Sequence, residues 1–198
     1  MSFKYIIIFT FTFLIMGCDG SYESNKDEII SEIESGFVSI GSGGTILTSF
    51  DGTSWTLRTS GTSQELKGVT YGGSTYVVVG DSGTILTSSV GKFWTSRSSG
   101  TSNGLNEVTY GGSTFVAVGK SGTIITSSDG TSWTARTSGS SQELNGVTYG
   151  GNTFVAVGTG GTILTSSDGI SWTSRTSGTA QPLRGVTYGG NIFVTAQD

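Results

Sequence analysis

The 198-residue sequence has no histidine, one cysteine and one proline, and only 12% of its residues are charged. Without histidine it lacks the commonest general base and the commonest zinc ligand. The formal net charge of -4 provides no basic surface for nucleic acid. Few charges beside 34% hydrophobic residues argue against a disordered chain, and the 33 glycines suit an all-β domain with many turns.

The single cysteine stands at the end of an N-terminal apolar segment. Lys4 precedes an apolar run over residues 5–16, which has signal-peptide length and is short for a membrane span. The "LIMGC" that follows resembles the lipobox of bacterial lipoproteins. That resemblance implies a signal peptide over 1–17, lipidation of Cys18 and anchorage in the bacterial cell envelope, at the outer membrane or the periplasmic face of the inner membrane. An ordinary secretory signal with a chance cysteine is the alternative.

Residues 18–36 are predicted to be a polar tether. Six of the chain's 14 acidic side chains lie in this stretch with one lysine, whereas residues 37–198 are neutral. A short helix in "DEIISEIES" is the alternative, because its isoleucines share one helical face.

A 39-residue repeat fills residues 37–198. Trp55, Trp94, Trp133 and Trp172 are each 39 residues apart, and residues 115–153 match 154–192 at 29 of 39 positions. Each unit contains four short runs of Val, Ile, Phe, Thr and Trp separated by glycine-rich turns, which predicts four strands. Runs such as "FVAVG" are apolar on both faces, so each sheet should be covered on both sides.

The pattern predicts an all-β fold, a β-propeller of about four short blades, with a β-solenoid as the alternative. The repeat domain begins with a second strand of the repeat and also ends after a second strand. Residues 183–190 could complete the first blade and close a small ring. A partial propeller is the other possibility, and its exposed faces would favour a homodimer.

The segment "LNGVTYGGNTFVAVGTGGTILTSSDGISW" resembles the Asp-box (BNR) propellers, especially those of the photosystem II assembly-factor type. The Asp box here is one residue short, and the second repeat has Val90 in place of the aspartate. We predict that the box residues are structural, because a group that recurs every 39 residues is placed once per blade, whereas a catalytic group acts at one place. The residues concerned are Asp51, Trp55, Trp94, Asp129, Trp133, Asp168 and Trp172.

The arginine three residues after each tryptophan is equally periodic. Sialidases clamp a carboxylate with three arginines, but those converge on the channel from different blade positions. We expect Arg58, Arg97, Arg136 and Arg175 to lie on the outermost strands, where they contact polar groups of a neighbouring blade or solvent.

Specificity is expected where the repeats differ. Two loop sets vary and should share one rim of the propeller: the turn between second and third strands, and the connection into the next blade. The ligand-binding candidates are Glu65, Lys67, Asp81, Lys120, Glu143 and Arg184. Neutral variation at exposed loop tips is the alternative interpretation.

The sequence therefore predicts a lipid-anchored envelope protein whose propeller binds a protein or glycan without catalysis. No residue cluster predicts a cofactor or a metal site, and no glycine-rich turn has the spacing of a phosphate loop. A sialidase-type glycoside hydrolase, or a fragment of one, is one alternative. A truncated repeat protein without a dedicated ligand is another.

Overall fold

The computed structural model describes the backbone of residues 6–8 and residues 36–197, which form antiparallel β-sheets. Four sheets have four strands each and a fifth has two. The four-stranded repeat unit predicted from the sequence is thereby confirmed. Cys18, the acidic tether and its alternative helix fall in residues 9–35, outside the described residues. Within the described part, no helix is long and apolar enough to cross a membrane.

The sheets follow one another along the chain, and strands within each sheet are neighbours in sequence. Blade 1 contains β1 (Ile6–Ile8), β2 (Phe37–Ile40), β3 (Ile46–Ser49) and β4 (Thr56–Arg58). Blade 2 contains β5 (Leu66–Gly72), β6 (Thr75–Gly80), β7 (Ile85–Ser88) and β8 (Thr95–Arg97). Blade 3 contains β9 (Leu105–Gly111), β10 (Thr114–Gly119), β11 (Ile124–Ser127) and β12 (Thr134–Arg136). Blade 4 contains β13 (Leu144–Gly150), β14 (Thr153–Gly158), β15 (Ile163–Ser166) and β16 (Thr173–Arg175). The fifth sheet contains β17 (Leu183–Gly189) and β18 (Ile192–Gln197). A 3₁₀ turn joins the second and third strands of each blade, at Ser42–Gly44, Asp81–Gly83, Lys120–Gly122 and Thr159–Gly161.

Second strands lie at the centre of the core. Val77, Val78 and Val79 are consecutive in β6, so their side chains point to opposite faces, and all three are fully buried. This is possible only where a sheet is covered on both sides, as a blade is by its neighbours. The burial predicted for these strands is confirmed.

Each pair of adjacent blades encloses one apolar cluster. Val77 and Ile85, on the face of blade 2 that looks towards blade 3, pack with Leu105, Val108 and Phe115 of blade 3. Equivalent clusters lie between blades 1 and 2 and between blades 3 and 4. We call the face towards the next blade the leading face and the opposite one the trailing face.

Glycines of the "YGG" turns allow the first strands of neighbouring blades to approach closely. A Cβ at Gly111 would lie 2.1 Å from Cγ of Tyr149, and one at Gly150 would lie 2.1 Å from Cγ of Tyr188. No side chain fits at that distance. Stacking of the blades therefore depends on glycine at these positions.

The described blades form an open arc. β17 pairs with β18, and β1 occupies the first-strand position beside β2. The predicted completion of blade 1 by residues 183–190 is therefore not observed: β17 is bonded to β18, and β1 already pairs with β2. The partial propeller is the form found here. β1 lies within the predicted signal peptide, and the signal peptide stays a prediction.

Candidate functional site

The aspartates of the box form hairpin turns between third and fourth strands. Asp129 Oδ1 accepts hydrogen bonds from the amides of Thr131 and Ser132 at 2.8 and 3.0 Å, and its Oδ2 accepts one from Thr131 Oγ1 at 2.6 Å. Gly130 has φ +76°, which glycine adopts without strain. Asp51 and Asp168 likewise accept two backbone amides each. This is the turn geometry expected from the sequence.

The tryptophan of each repeat connects the turn to the core. Trp133 Nε1 donates to the carbonyl of Gly130 at 2.9 Å, and its ring lies 6.4 Å from that of Phe115, against the cluster between blades 2 and 3. The second repeat, which has Val90, keeps the Trp94-to-Gly91 bond at 2.9 Å. The same donor is present at Trp55 and Trp172.

These hydrogen bonds make the aspartates poor proton donors. The backbone amide of Ser132, with further bonds from Thr131, lowers the pKa of Asp129 far below its ordinary value. The amides of Ser171 and Ile170 lower the pKa of Asp168 to about 2. A carboxyl group held ionised in this way cannot serve as a general acid near neutral pH.

Asp129→Asn is expected to lower the Tm by roughly 2–4 °C, because the turn loses its charge-assisted hydrogen bonds. The second repeat, which has Val90 in place of the aspartate, allows the reverse substitution to be tested. Val90→Asp should raise the Tm, because it restores a carboxylate to a turn that keeps the bonds from the Gly91 amide to Ser88 Oγ and from Trp94 Nε1 to the Gly91 carbonyl. Thermal unfolding followed by circular dichroism measures both. A Tm unchanged by Asp129→Asn would contradict the structural role.

The contribution of Asp168 to stability should depend on pH. Its pKa in the folded protein is below the ordinary 3.8, so its stabilisation is complete above about pH 4 and is lost as the pH falls through about 2. The Tm difference between the wild type and Asp168→Asn should therefore be largest above about pH 4 and should shrink towards pH 2. Melting curves over this range test it. A difference that grew on acidification would have the wrong sign.

The repeated arginines are on the outermost strands, as predicted, but the bond that each donates to a described residue lies within its own blade and not in a neighbouring one. Arg136 Nε donates to Thr126 Oγ1 at 2.8 Å, within its own blade. The strand register explains this bond. Arg136 lies opposite Ile124, the first residue of the third strand, and Thr126 is two residues further along on the same face of that strand. The other three arginines donate in the same way, at 2.8 to 2.9 Å.

The first strands β5, β9, β13 and β17 each carry a β-bulge near the start, which the sequence did not reveal. In blade 2 the register passes from Leu66 opposite Gly80 to Gly68 opposite Val79, so Lys67 is the extra residue. The same shift leaves Asn106, Asn145 and Arg184 as the extra residues of their strands. Bulges redirect side chains. The variable sequence position 67 thus corresponds to a distinct structural position.

We define the rim as these bulge residues together with the adjoining 3₁₀ turns and blade connections. Several of the ligand-binding candidates lie on it. Lys67 Nζ lies 2.6 Å from Asp81 Oδ1, with both side chains partly exposed. Asp81 and Lys120 both border Gly104, where a Cβ would meet Asp81 Oδ1 at 2.8 Å and Lys120 Cδ at 3.5 Å. Blades 2 and 3 therefore bring Asp81, which is paired with Lys67, and Lys120 to the same glycine.

The bulge asparagines bond across blades. Asn106 Nδ2 donates to Glu143 Oε1 and to the carbonyl of Leu144, both at 2.9 Å. Asn145 Nδ2 donates to the carbonyl of Leu183 at 2.8 Å. Glu143 is thus fixed to the neighbouring blade.

The remaining candidates are more exposed. Glu65 has an exposed side chain, and its carbonyl accepts the amide of Asp81 at 2.9 Å. Lys120 and Arg184 are also exposed. The two loop sets predicted to share one rim do contact each other. In blade 3, as in blade 2, the amide of the turn residue Lys120 donates a hydrogen bond to the carbonyl of Gly104, in the connection from the preceding blade. Whether the candidates bind a ligand stays a prediction.

Equivalent clefts on the outer side of blades 1 to 4, among the described residues, were also not predicted. Their volumes are about 510, 570, 560 and 590 Å³, and each is lined by glycines, hydroxyl side chains and one of the repeated arginines. The arginine's recurrence three residues after each tryptophan was the signal that could have revealed them. Among the described residues, no group of three or more His, Cys, Asp or Glu side chains could hold a metal ion.

The solved structures with a similar fold include two of YCF48. One, "YCF48 bound to D1 peptide", is 18% identical with a TM-score of 0.59, over 76% of this chain and 52% of that one. The other, YCF48 from Cyanidioschyzon merolae, is 21% identical with a TM-score of 0.59, over 78% of this chain and 56% of that one. The chain spans about half the length of these structures. No family model and no curated protein matches it. The likenesses show the fold, and at that level they support the resemblance to photosystem II assembly-factor propellers.

Proposed function

We propose that this protein is a non-catalytic scaffold that binds a protein partner at its rim and is held at a membrane of the bacterial cell envelope by a lipid on Cys18. The rim around Gly104 carries the proposal. There the repeats differ, and Lys67, Asp81 and Lys120 come together on a framework of bulges and short turns.

The rim differs from the rest of the repeat in its chemistry. The periodic polar groups are occupied in turns and strand pairs, as for Asp129 with its amides and Arg136 with Thr126. The rim charges are partly or fully exposed at positions that change from blade to blade. Exposed, positioned charges of both signs favour recognition of a partner with a complementary charge pattern.

A protein partner is favoured over a glycan by the likeness to the structure of YCF48 bound to a D1 peptide. A glycoside hydrolase is disfavoured by the aspartates, whose lowered pKa values suit neither an acid nor a base at neutral pH. The arginines on the outer strands also have no common focus, since each bonds its own blade.

The experiment is cross-linking of the full-length protein in the cells that produce it, followed by identification of the bound protein and measurement of its affinity. The double variant Asp81→Lys/Lys120→Asp should weaken that interaction at least about tenfold, since it reverses charges where the partner is expected to contact the rim. Phe93→Ser is the matched control. Phe93 is exposed on an outer turn where the other repeats have serine.

Unchanged affinity of the double variant would refute the rim as the binding surface. Recovery of no specific protein would favour a repeat protein without a dedicated ligand, or a glycan ligand if envelope polysaccharide were retained instead. The anchor is tested separately. Cys18→Ser should abolish incorporation of labelled palmitate and release the protein from membranes, and retained label would contradict lipidation.

A further inference from the structure

The interface between blades has a contact that repeats along the arc. Gly130, in the turn of blade 3, faces the leading side of blade 2, where a Cβ would lie 3.1 Å from Val77 Cγ2 and 3.5 Å from Thr75 Cγ2. Gly169 of blade 4 faces Val116 and Thr114 of blade 3, at 3.0 and 3.7 Å. Both of these turn glycines thus fit against a valine of the preceding blade and against the threonine two residues before that valine.

The fifth sheet presents one half of this contact without the other. By strand register, Val194 and Ile192 correspond to Val77 and Thr75. Val194 is 51% exposed and Ile192 60% exposed, whereas Val77 is fully buried. The surroundings of Gly189 also show that this face is uncovered. A Cβ there would meet nothing within 4 Å, whereas one at Gly150 would meet Tyr188.

Blade 1 presents the complementary half. Gly52 is its turn glycine, and among the described residues a Cβ there would meet only the ring of Phe37, in its own blade. Gly52 is exposed, whereas the corresponding Gly91, Gly130 and Gly169 are buried. Phe37 is only partly buried on the same trailing face, whereas its counterparts Tyr76, Phe115 and Phe154 are buried.

We propose that a second copy of this chain docks head to tail, with the leading face of its fifth sheet against the trailing face of blade 1. The interface is the one that the chain already forms between its own blades, with Val194 and Ile192 seated over Gly52 and Trp55. Its two halves lie on different ends of the arc, so the association is heterologous. It closes into a ring or extends as a filament according to the curvature of the arc.

The first test is the protein mass of the full-length chain by light scattering in mild detergent, with the detergent contribution subtracted. The wild type should have at least twice the mass of one chain. Val194→Lys should weaken the association at least about tenfold, because a charge would be buried in an apolar contact. Ile192→Lys is the second variant, at a more exposed site that tolerates lysine in the free chain. Phe93→Lys, an equally drastic change on an inner blade's turn, is the control and should leave the mass unchanged.

The direction of docking is tested by capture. A tagged Val194→Lys chain keeps an intact blade 1, so it should still retain untagged wild type but not untagged Val194→Lys. Failure to retain the wild type would indicate a symmetric contact between two fifth sheets and would overturn the head-to-tail arrangement. A single-chain mass for the wild type at micromolar concentration, or equal effects of Val194→Lys and Phe93→Lys, would overturn the association itself.

Discussion

Gly150→Ala is expected to destabilise the protein by about 1–3 kcal/mol, the usual cost of forcing extra volume into a well-packed contact. A Cβ at this position would lie 2.1 Å from Cγ and 2.6 Å from Cβ of Tyr188, so the first strands of two adjacent sheets would have to separate. Chemical denaturation followed by tryptophan fluorescence measures the loss.

Gly189→Ala is the matched control for that change. It places the same methyl group at the same repeat position, where nothing lies within 4 Å. In a Val194→Lys background, which keeps a second copy off the fifth sheet, the change in stability should be less than about 0.5 kcal/mol, as for other surface substitutions. Equal effects at Gly150 and Gly189 would show that the fifth sheet is covered in the same way as the blades.

Phe154→Ala should destabilise the protein by about 3–5 kcal/mol, because its buried ring fills the cluster between blades 3 and 4 and its loss would leave a cavity. Phe193→Ala, at the same position of the fifth sheet, should cost less than half as much, since that ring is 37% exposed and has no tryptophan turn above it in the described residues. Urea midpoints of the two variants give the comparison. Similar midpoints would contradict the difference in packing.

The blades could be predicted from the sequence because the 39-residue repeat records one packing unit several times. The turn aspartates and tryptophans were also predictable, since a short hydrogen-bonded hairpin depends on neighbours in sequence. Asp129 illustrates this, as its partners lie within three residues.

Closure, the bulges and the arginine partners depend on strand register, which the sequence pattern did not determine. Lys67 became a bulge residue only because Leu66 and Gly68 pair with consecutive residues of β6. The same kind of register set Arg136 beside a threonine of its own blade. The ion pair between Lys67 and Asp81 spans 14 residues and required both the bulge and the turn to be in place.

The central claim is that periodic residues build the blades and that non-periodic rim residues bind the partner. One paired measurement tests it: the Tm and the affinity for the cross-linked partner, determined for Asp129→Asn and for Asp81→Lys/Lys120→Asp. We predict a lower Tm with unchanged affinity for the first variant. For the second we predict weakened affinity with a Tm within about 2 °C of wild type, because the Lys67–Asp81 pair that it removes is partly exposed to solvent and contributes little to stability. Loss of binding in Asp129→Asn at unchanged Tm, with full binding in the rim variant, would contradict the account.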